Sequence, residues 1–88
     1  MANIRDLKKD INYVFGDIIE AVYVWELSNP KSDFKKSEAI IDEAIAGFDE
    51  LIAKVNDKKV DDRGLHLKTI GKELESKGKE LIDKINKL

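Results

Sequence analysis

The chain has 88 residues, no cysteine and a formal net charge of −2, from 16 basic and 18 acidic side chains. Hydrophobic residues make up 42% of it and charged residues 39%, which supplies one core and excludes a disordered composition. The lack of cysteine excludes disulfides and thiolate metal sites, and the balanced charge lacks the basic excess that is typical of nucleic-acid binders.

The N-terminal segment MANIRDLKKD has no apolar stretch of the kind found in signal peptides. No segment approaches the eighteen or so consecutive apolar residues of a membrane span. We therefore predict a cytoplasmic protein without a membrane partner. The length is too small for two independent cores, so residues 1–88 are predicted to form one domain.

The first predicted element is a helix over about residues 3–28, with Asn3 as its N-cap. Apolar or small residues recur three and four apart, as one helix face requires. This predicted core face comprises Ile4, Leu7, Ile11, Val14, Ile18, Ala21 and Trp25, widened by Phe15 and Val22. The only proline, Pro30, lies in a Ser-Asn-Pro-Lys-Ser cluster that predicts a turn.

A second helix is predicted over about residues 33–57, capped by Ser32 or Asp33. Its face comprises Phe34, Ser37, Ile41, Ala44, Phe48, Leu51 and Val55, flanked by Ile40, Ile45 and Ile52. A polar segment then leads to a third helix over about residues 61–87, capped by Asp61 or Asp62. Its face comprises Leu67, Ile70, Leu74, Gly78, Leu81, Ile85 and Leu88.

No strand-like alternation competes with these three helices. Short connections make neighbouring helices antiparallel, so the predicted fold is all-α: an antiparallel up-down-up three-helix bundle with three helices of similar length. The alternative is a helical hairpin that gives its third helix to a partner chain. Gly64, Gly71 and Gly78 lie seven apart on helix 3. They are expected to accommodate something bulky or to let backbones approach, and to face rings of helices 1 and 2 such as Phe15, Trp25 or Phe48, unless helix 3 is simply weaker than its neighbours.

The sequence contains no recognisable catalytic constellation. The single histidine, His66, lacks the clustered ligands of a metal site and is interpreted as solvent-facing or capping. Asp57, Asp61 and Asp62 lack calcium-loop spacing, and no serine is spaced for catalysis with the histidine. We therefore predict no enzymatic activity, no metal and no cofactor.

Helix 1 carries more apolar surface than one bundle seam uses. Beside its core face runs an outer stripe that comprises Asn12, Gly16, Ile19, Tyr23 and Leu27. A glycine in mid-stripe permits close approach by another helix, and tyrosine is favoured at interfaces. The stripe is predicted to form a homodimer contact or to bind another protein. The alternatives are that helix 1 is the central, most buried helix, or that its tyrosine is an ordinary exposed aromatic.

The predicted function is therefore a non-catalytic helical protein–protein interaction module that self-associates through the outer face of helix 1. One alternative is a nucleic-acid-associated regulator that uses the lysines of helix 3. Spacing pairs several of these lysines with acids one turn away, which favours a solvated face: Glu73 with Lys77, Glu75 with Lys79 and Glu80 with Lys84. A second alternative is a small ligand-binding bundle with a cavity near Gly71 and Gly78.

Overall fold

A computed structural model describes residues 3–88, which form three helices joined by two short connections. Helix α1 spans Ile4–Ser28, α2 spans Lys35–Asn56 and α3 spans Arg63–Asn86. Each helix packs against the other two, and the bundle measures 50 × 20 × 17 Å. The prediction of an all-α three-helix bundle is confirmed, and no strand occurs within this range. None of these helices is long and apolar enough to cross a membrane.

Side-chain caps begin two of the three helices. Asn3 Oδ1 accepts a hydrogen bond from the Asp6 amide at 2.8 Å, and Asp62 Oδ1 accepts one from the Leu65 amide at 3.0 Å. Both satisfy amides that a helix start leaves unpaired. Helix α2 starts differently: Phe34 is its N-cap and makes no side-chain cap bond. The predicted cap Asp33 lies one residue earlier, and its Oδ1 accepts a hydrogen bond from the Lys35 amide at 2.9 Å, so α2 begins at Lys35.

Among residues 3–88, the core contains one polar side chain among apolar ones. Its buried apolar members are Leu7, Ile11, Phe15, Ile18, Val22, Ile40, Ala44, Leu51, Val55, Leu67, Ile70, Leu74 and Leu81. The polar member is Ser37, whose hydroxyl lies 2.6 Å from Glu26 Oε2 and 3.0 Å from the Phe34 carbonyl oxygen. Both neighbours are acceptors, so this buried hydroxyl has a partner for its proton.

The predicted core faces of α1 and α2 are rotated slightly from the observed ones. Ala21 is exposed, whereas Phe15 and Val22 are buried at the centre of the core. On α2, Ile40 is buried in place of Ile41, and Ile45 is 47% exposed. Two overlapping stripes satisfy the same three-and-four spacing, and only the packing of the other helices decides which of them is buried.

The predicted contacts between the helix 3 glycines and aromatic rings are wrong. A Cβ atom on Gly71 would meet nothing within 4 Å, and one on Gly64 would meet only an Asp62 oxygen at 3.6 Å. One on Gly78 would lie 3.2 Å from Val14 Cγ1, an aliphatic carbon and not a ring. The glycine that meets a ring is Gly47 on α2, where a Cβ would lie 3.2 Å from Cε1 of Phe15.

Candidate interaction surface on helix α1

The outer stripe of α1 consists of Asn12, Gly16, Ile19, Tyr23 and Leu27, and we call it the α1 stripe. Its members are spaced four, three, four and four residues apart, so they share one helix face. Asn12 and Gly16 are exposed. Tyr23 is 52% exposed and Leu27 81% exposed, whereas Ile19 is half-buried and packs against the core. Helix α1 is therefore not buried all round.

The α1 stripe lies along the seam between α1 and α2. Phe15, one position before Gly16, points into this seam, where its ring packs edge-on against Phe48 with centroids 6.3 Å apart. At the end of the bundle, the rings of Trp25 and Phe34 pack in the same way at 6.3 Å. In these two contacts, the earlier residue of α1 meets the later residue of α2, and the later residue of α1 meets the earlier residue of α2. Helices α1 and α2 therefore run antiparallel.

Two hollows open to solvent along this seam. The smaller, of about 180 Å³, lies at mid-bundle and is lined by Asn12, Phe15, Gly16, Ile19, Ile45 and Phe48. The larger, of about 500 Å³, lies near the α1–α2 connection and is lined by Tyr23, Glu26, Leu27, Pro30 and Phe34. A Cβ atom on Gly16 would meet nothing within 4 Å, so the backbone at this position of the smaller hollow is open to solvent.

Helix α2 contributes side chains that the sequence-based prediction did not place at this surface. Ile45 and Phe48 line the smaller hollow and Phe34 lines the larger one, although all three were expected in or beside the core. The spacing of apolar residues along α2 does indicate this second apolar face. Phe34, Ile41, Ile45, Phe48 and Ile52 lie on the side of α2 that faces the α1 stripe, because they are separated by three, four or seven residues.

The seam between α2 and α3 has a different chemistry along its edge. Glu43 bridges two lysines of α3, with Lys77 Nζ 2.8 Å from its Oε1 and Lys84 Nζ 2.6 Å from its Oε2. Further along, Lys54 Nζ lies 2.8 Å from Glu73 Oε2. Within residues 3–88, no ion pair joins α1 to either of its neighbours.

These ion pairs shift the pKa values of their members. Hydrogen bonds from Lys77 and Lys84 lower the pKa of Glu43 below its ordinary value. The hydrogen bond to Glu43 raises the pKa of Lys77, and the hydrogen bond to Glu73 raises that of Lys54. In each case the charged form gains a partner of opposite sign.

His66 has a structural contact at the end of α2. Its Nε2 lies 2.6 Å from the Lys54 carbonyl oxygen, which also accepts from the Asp57 amide at 3.2 Å and is one of the carbonyls that a helix end leaves without an i+4 partner. The ring nitrogen therefore donates to that carbonyl. Across the part of the chain that the structure describes, no three histidine or acidic side chains gather in a way that could hold a metal ion.

A third hollow, of about 530 Å³, lies between α1 and α3 beside Gly78. Its apolar lining includes Tyr13, which is 57% exposed, and Ile82, which is 49% exposed. Asp10, Glu75 and Lys79 complete the lining with the apolar Val14 and Leu74. The hollow adjoins Gly78, as the ligand-binding alternative expects, but it is an open groove and not an enclosed cavity.

The fold and this surface define a class: a small helical bundle with an uncovered apolar seam. Comparisons with protein-family models, with curated proteins and with solved structures found no significant match for the chain.

Proposed function

We propose that this chain is a non-catalytic helical protein–protein interaction module that self-associates through the α1 stripe. The observation that carries the proposal is the uncovered seam. Exposed Tyr23 and Leu27 are aligned with the open backbone at Gly16 and with exposed Ile45 across the seam. Contiguous exposed apolar surface of this kind marks interaction sites on soluble proteins.

The arrangement has the features of a helix-binding surface. A long apolar seam with hollows at intervals accepts the side chains of another helix at one-turn spacing. Tyrosine at its edge supplies a large contact area with a polar hydroxyl, which suits a surface that contacts water in the free chain and a partner in the complex. Open backbone at Gly16 allows a second helix to approach more closely than any side chain would permit.

The test is the solution mass by light scattering over a dilution series at physiological salt. We expect a dimer that dissociates on dilution, and we expect Tyr23→Lys to shift the chain to monomer because it places a charge in the apolar contact. Circular dichroism should show unchanged helicity, since half of the Tyr23 side chain is already in solvent.

The chain offers a matched control on the same helix. Val24 is as exposed as Tyr23, at 56% against 52%, but lies about 100° around the helix from it, away from the α1 stripe. Val24→Lys should leave the dimer intact. Equal loss of association in both variants would contradict the assignment to the α1 stripe, and a strict monomer at high concentration would contradict self-association.

The nucleic-acid alternative depends on lysines that the ion pairs leave exposed. Lys77 and Lys84 are engaged by Glu43, whereas Lys68, Lys72 and Lys79 are exposed along the outer side of α3. Three lysines on one face are a small patch beside the six to ten phosphate contacts of strong binders. Salt-sensitive retention of the chain on heparin or DNA would favour this alternative over the interaction module.

A further inference from the structure

The charged residues on the α1 stripe side of α1 are segregated along the helix. Arg5, Lys8 and Lys9 lie near its N-terminus, and Glu20 and Glu26 lie in its C-terminal half. The remaining acids, Asp6, Asp10 and Asp17, lie away from this side by their spacing. On the α1 stripe side, the helix is therefore basic at one end and acidic at the other.

This arrangement opposes the dipole of α1 itself. A helix favours acids at its N-terminus and bases at its C-terminus, and the last turn of α1 contains no base. Within the single chain, Glu26 accepts a hydrogen bond from Ser37 and Lys9 lies over the Tyr13 ring, but across residues 3–88 no ion pair gives Arg5, Lys9 or Glu26 a partner of opposite charge. A second α1 laid antiparallel would bring each basic end against an acidic end.

The same side of α1 also has a seven-residue repeat. One series contains Arg5, Asn12, Ile19 and Glu26, and the other contains Lys9, Gly16 and Tyr23. Two series offset by three and four residues form the seam of a coiled coil. In an antiparallel pair, a residue of one series lies in the same layer as a residue of the other series on the second helix.

We infer that the partner of the α1 stripe is the α1 stripe of a second copy of this chain, running antiparallel. In the register that the charges select, Lys9 faces Glu26 of the second copy, Asn12 faces its Tyr23, and Gly16 faces its Ile19. The two-fold symmetry repeats each pair on the other side of the axis. This inference rests on the proposed function and adds the identity and direction of the bound helix.

Each pair in this register fits chemically. Lys9 and Glu26 have opposite charges, and Glu26 has a second carboxylate oxygen beyond the one bonded to Ser37. The Asn12 amide and the Tyr23 hydroxyl are hydrogen-bond partners, and a polar layer of this kind fixes the register of a coiled coil.

The central pair depends on the smaller hollow. Open backbone is not by itself a sign of a site, because Gly71 is equally open. Gly16 differs because it adjoins a solvent-open hollow of about 180 Å³ whose lining includes the apolar side chains of Ile45 and Phe48. Ile19 of the second copy would sit against this hollow. A parallel pair would instead place Lys9 beside Lys9 and Glu26 beside Glu26.

Because the chain has no cysteine, single cysteines can test the direction directly. We would prepare Lys9→Cys and Glu26→Cys in the full chain, give one of them a size tag, and oxidise each alone and the two mixed. In the inferred pair, positions 9 and 26 of different copies share a layer. Two copies of position 9 lie 17 residues apart along the axis, or about 25 Å, beyond the reach of a disulfide.

The mixture should therefore yield the cross-linked dimer, and neither variant alone should yield it. Lys72→Cys, on the outer side of α3, is the control and should not cross-link with Lys9→Cys. Self-linking of either α1 variant would show a parallel pair and overturn the inference. So would the absence of cross-links in the mixture.

The two proposals can fail separately. If Tyr23→Lys dissociates a wild-type dimer but the mixture does not cross-link, the α1 stripe is the interface and the antiparallel register is wrong. If the wild-type chain is a monomer at every concentration, self-association fails together with this inference.

Discussion

The two seams that α2 makes with its neighbours are closed in different ways. The α2–α3 seam has ion pairs along its edge, with Glu43 bridging Lys77 and Lys84 and with Lys54 joined to Glu73. The α1–α2 seam has exposed apolar side chains and two open hollows. One edge is completed by the chain itself and the other is not, although both seams contain the same kind of buried core.

The difference in edge chemistry indicates which seam would gain stability by binding a partner. Exposed ion pairs contribute little stability, but they leave a hydrated edge on which a second protein gains nothing by burial. An apolar edge instead remains in contact with water until something covers it, and its burial is then favourable in proportion to the area removed. The proposed interaction site and the ion-paired edge thus lie on opposite sides of α2.

The largest expected effect concerns the inner side of the α1–α2 seam. Phe15 is 2% exposed and packs against Gly47 and Phe48, so Phe15→Ala should lower the free energy of unfolding by about 3–5 kcal/mol. Urea unfolding of dilute protein, followed by circular dichroism, measures this loss.

Tyr23→Ala is the comparison for this experiment, because it lies on the same helix at the outer edge of the same seam. Its effect on the dilute monomer should be below about 1 kcal/mol, as expected for an exposed surface position. Similar losses in both variants would mean that the α1 stripe is part of the fold and not a separate surface.

The sequence predicts the two connections and two of the helix caps well. Pro30 and the aspartates before α3 mark both connections, and Asn3 and Asp62 are the caps that their residue types predict. These signals are local, since turn and cap chemistry depends on a few consecutive residues. Periodicity alone also predicts which residues of the α1 stripe are exposed, because they fall outside the face that the core requires. These are Asn12, Gly16, Tyr23 and Leu27.

What the sequence does not predict depends on contacts between helices. Spacing pairs Glu73 with Lys77, yet Glu73 binds Lys54 and Lys77 binds Glu43, both across the α2–α3 seam. Only Glu80 with Lys84 is found among the predicted pairs, at 3.8 Å. Likewise, a Cβ atom on Gly47 would lie 3.2 Å from the Phe15 ring of α1, and no pattern within α2 contains that information.

Reversing charges at the two ends of the α1 stripe should weaken association by a smaller amount. Lys9→Glu alone places the new carboxylate against Glu26 in both pairs of the dimer, and Glu26→Lys alone places two lysines together in both pairs. At about 0.5 kcal/mol per attraction lost and a similar amount per repulsion gained, each variant should lose about 2 kcal/mol. This corresponds to a roughly thirtyfold higher Kd, measurable by sedimentation equilibrium at low salt.

The two reversals together test the register. A mixture of the Lys9→Glu and Glu26→Lys chains should form heterodimers, because every pair across the interface is then of opposite charge. The double variant in one chain should recover the wild-type Kd. Failure of both recoveries, with helicity intact, would show that Lys9 and Glu26 do not meet.

Gly16→Ala should separate the stability of the bundle from its association. The added methyl group meets nothing within 4 Å, so the variant should gain about 1 kcal/mol of monomer stability from helix propensity. The same methyl would hold the second helix away and raise the Kd of the dimer.

Gly71→Ala is the matched control for Gly16→Ala. Its methyl group also meets nothing within 4 Å, so it should give a similar gain in stability, seen as a higher urea midpoint. Since Gly71 lies on α3, away from the α1 stripe, its Kd should not change. A raised Kd in both variants would attribute the effect to helix rigidity and not to contact at Gly16.

The smallest expected effect on stability concerns the ion pairs along the α2–α3 seam. Glu43→Gln removes the carboxylate that bridges Lys77 and Lys84 but leaves both lysines near Glu80. The loss should be about 1 kcal/mol at neutral pH, because each pair is partly exposed. That loss corresponds to a fall in Tm of roughly 4–8 °C for a domain of this size. Association should be unaffected, because the α2–α3 edge is remote from the α1 stripe.

The pH dependence of that cost follows from the direction of the shifts. The pKa of Glu43 is lowered in the folded chain, so its contribution is complete above the unfolded value of about 4.3 and is lost as pH falls through the folded pKa. The pKa of Lys77 is raised, so its contribution is lost only as pH rises through a folded pKa above about 10.4. The Tm difference between wild type and Glu43→Gln should therefore be constant across neutral pH and shrink in acid, because protonated Glu43 is then as neutral as glutamine. A Tm difference that persists in strong acid would mean that the glutamine packs poorly, and that the charge on Glu43 contributes nothing at this edge.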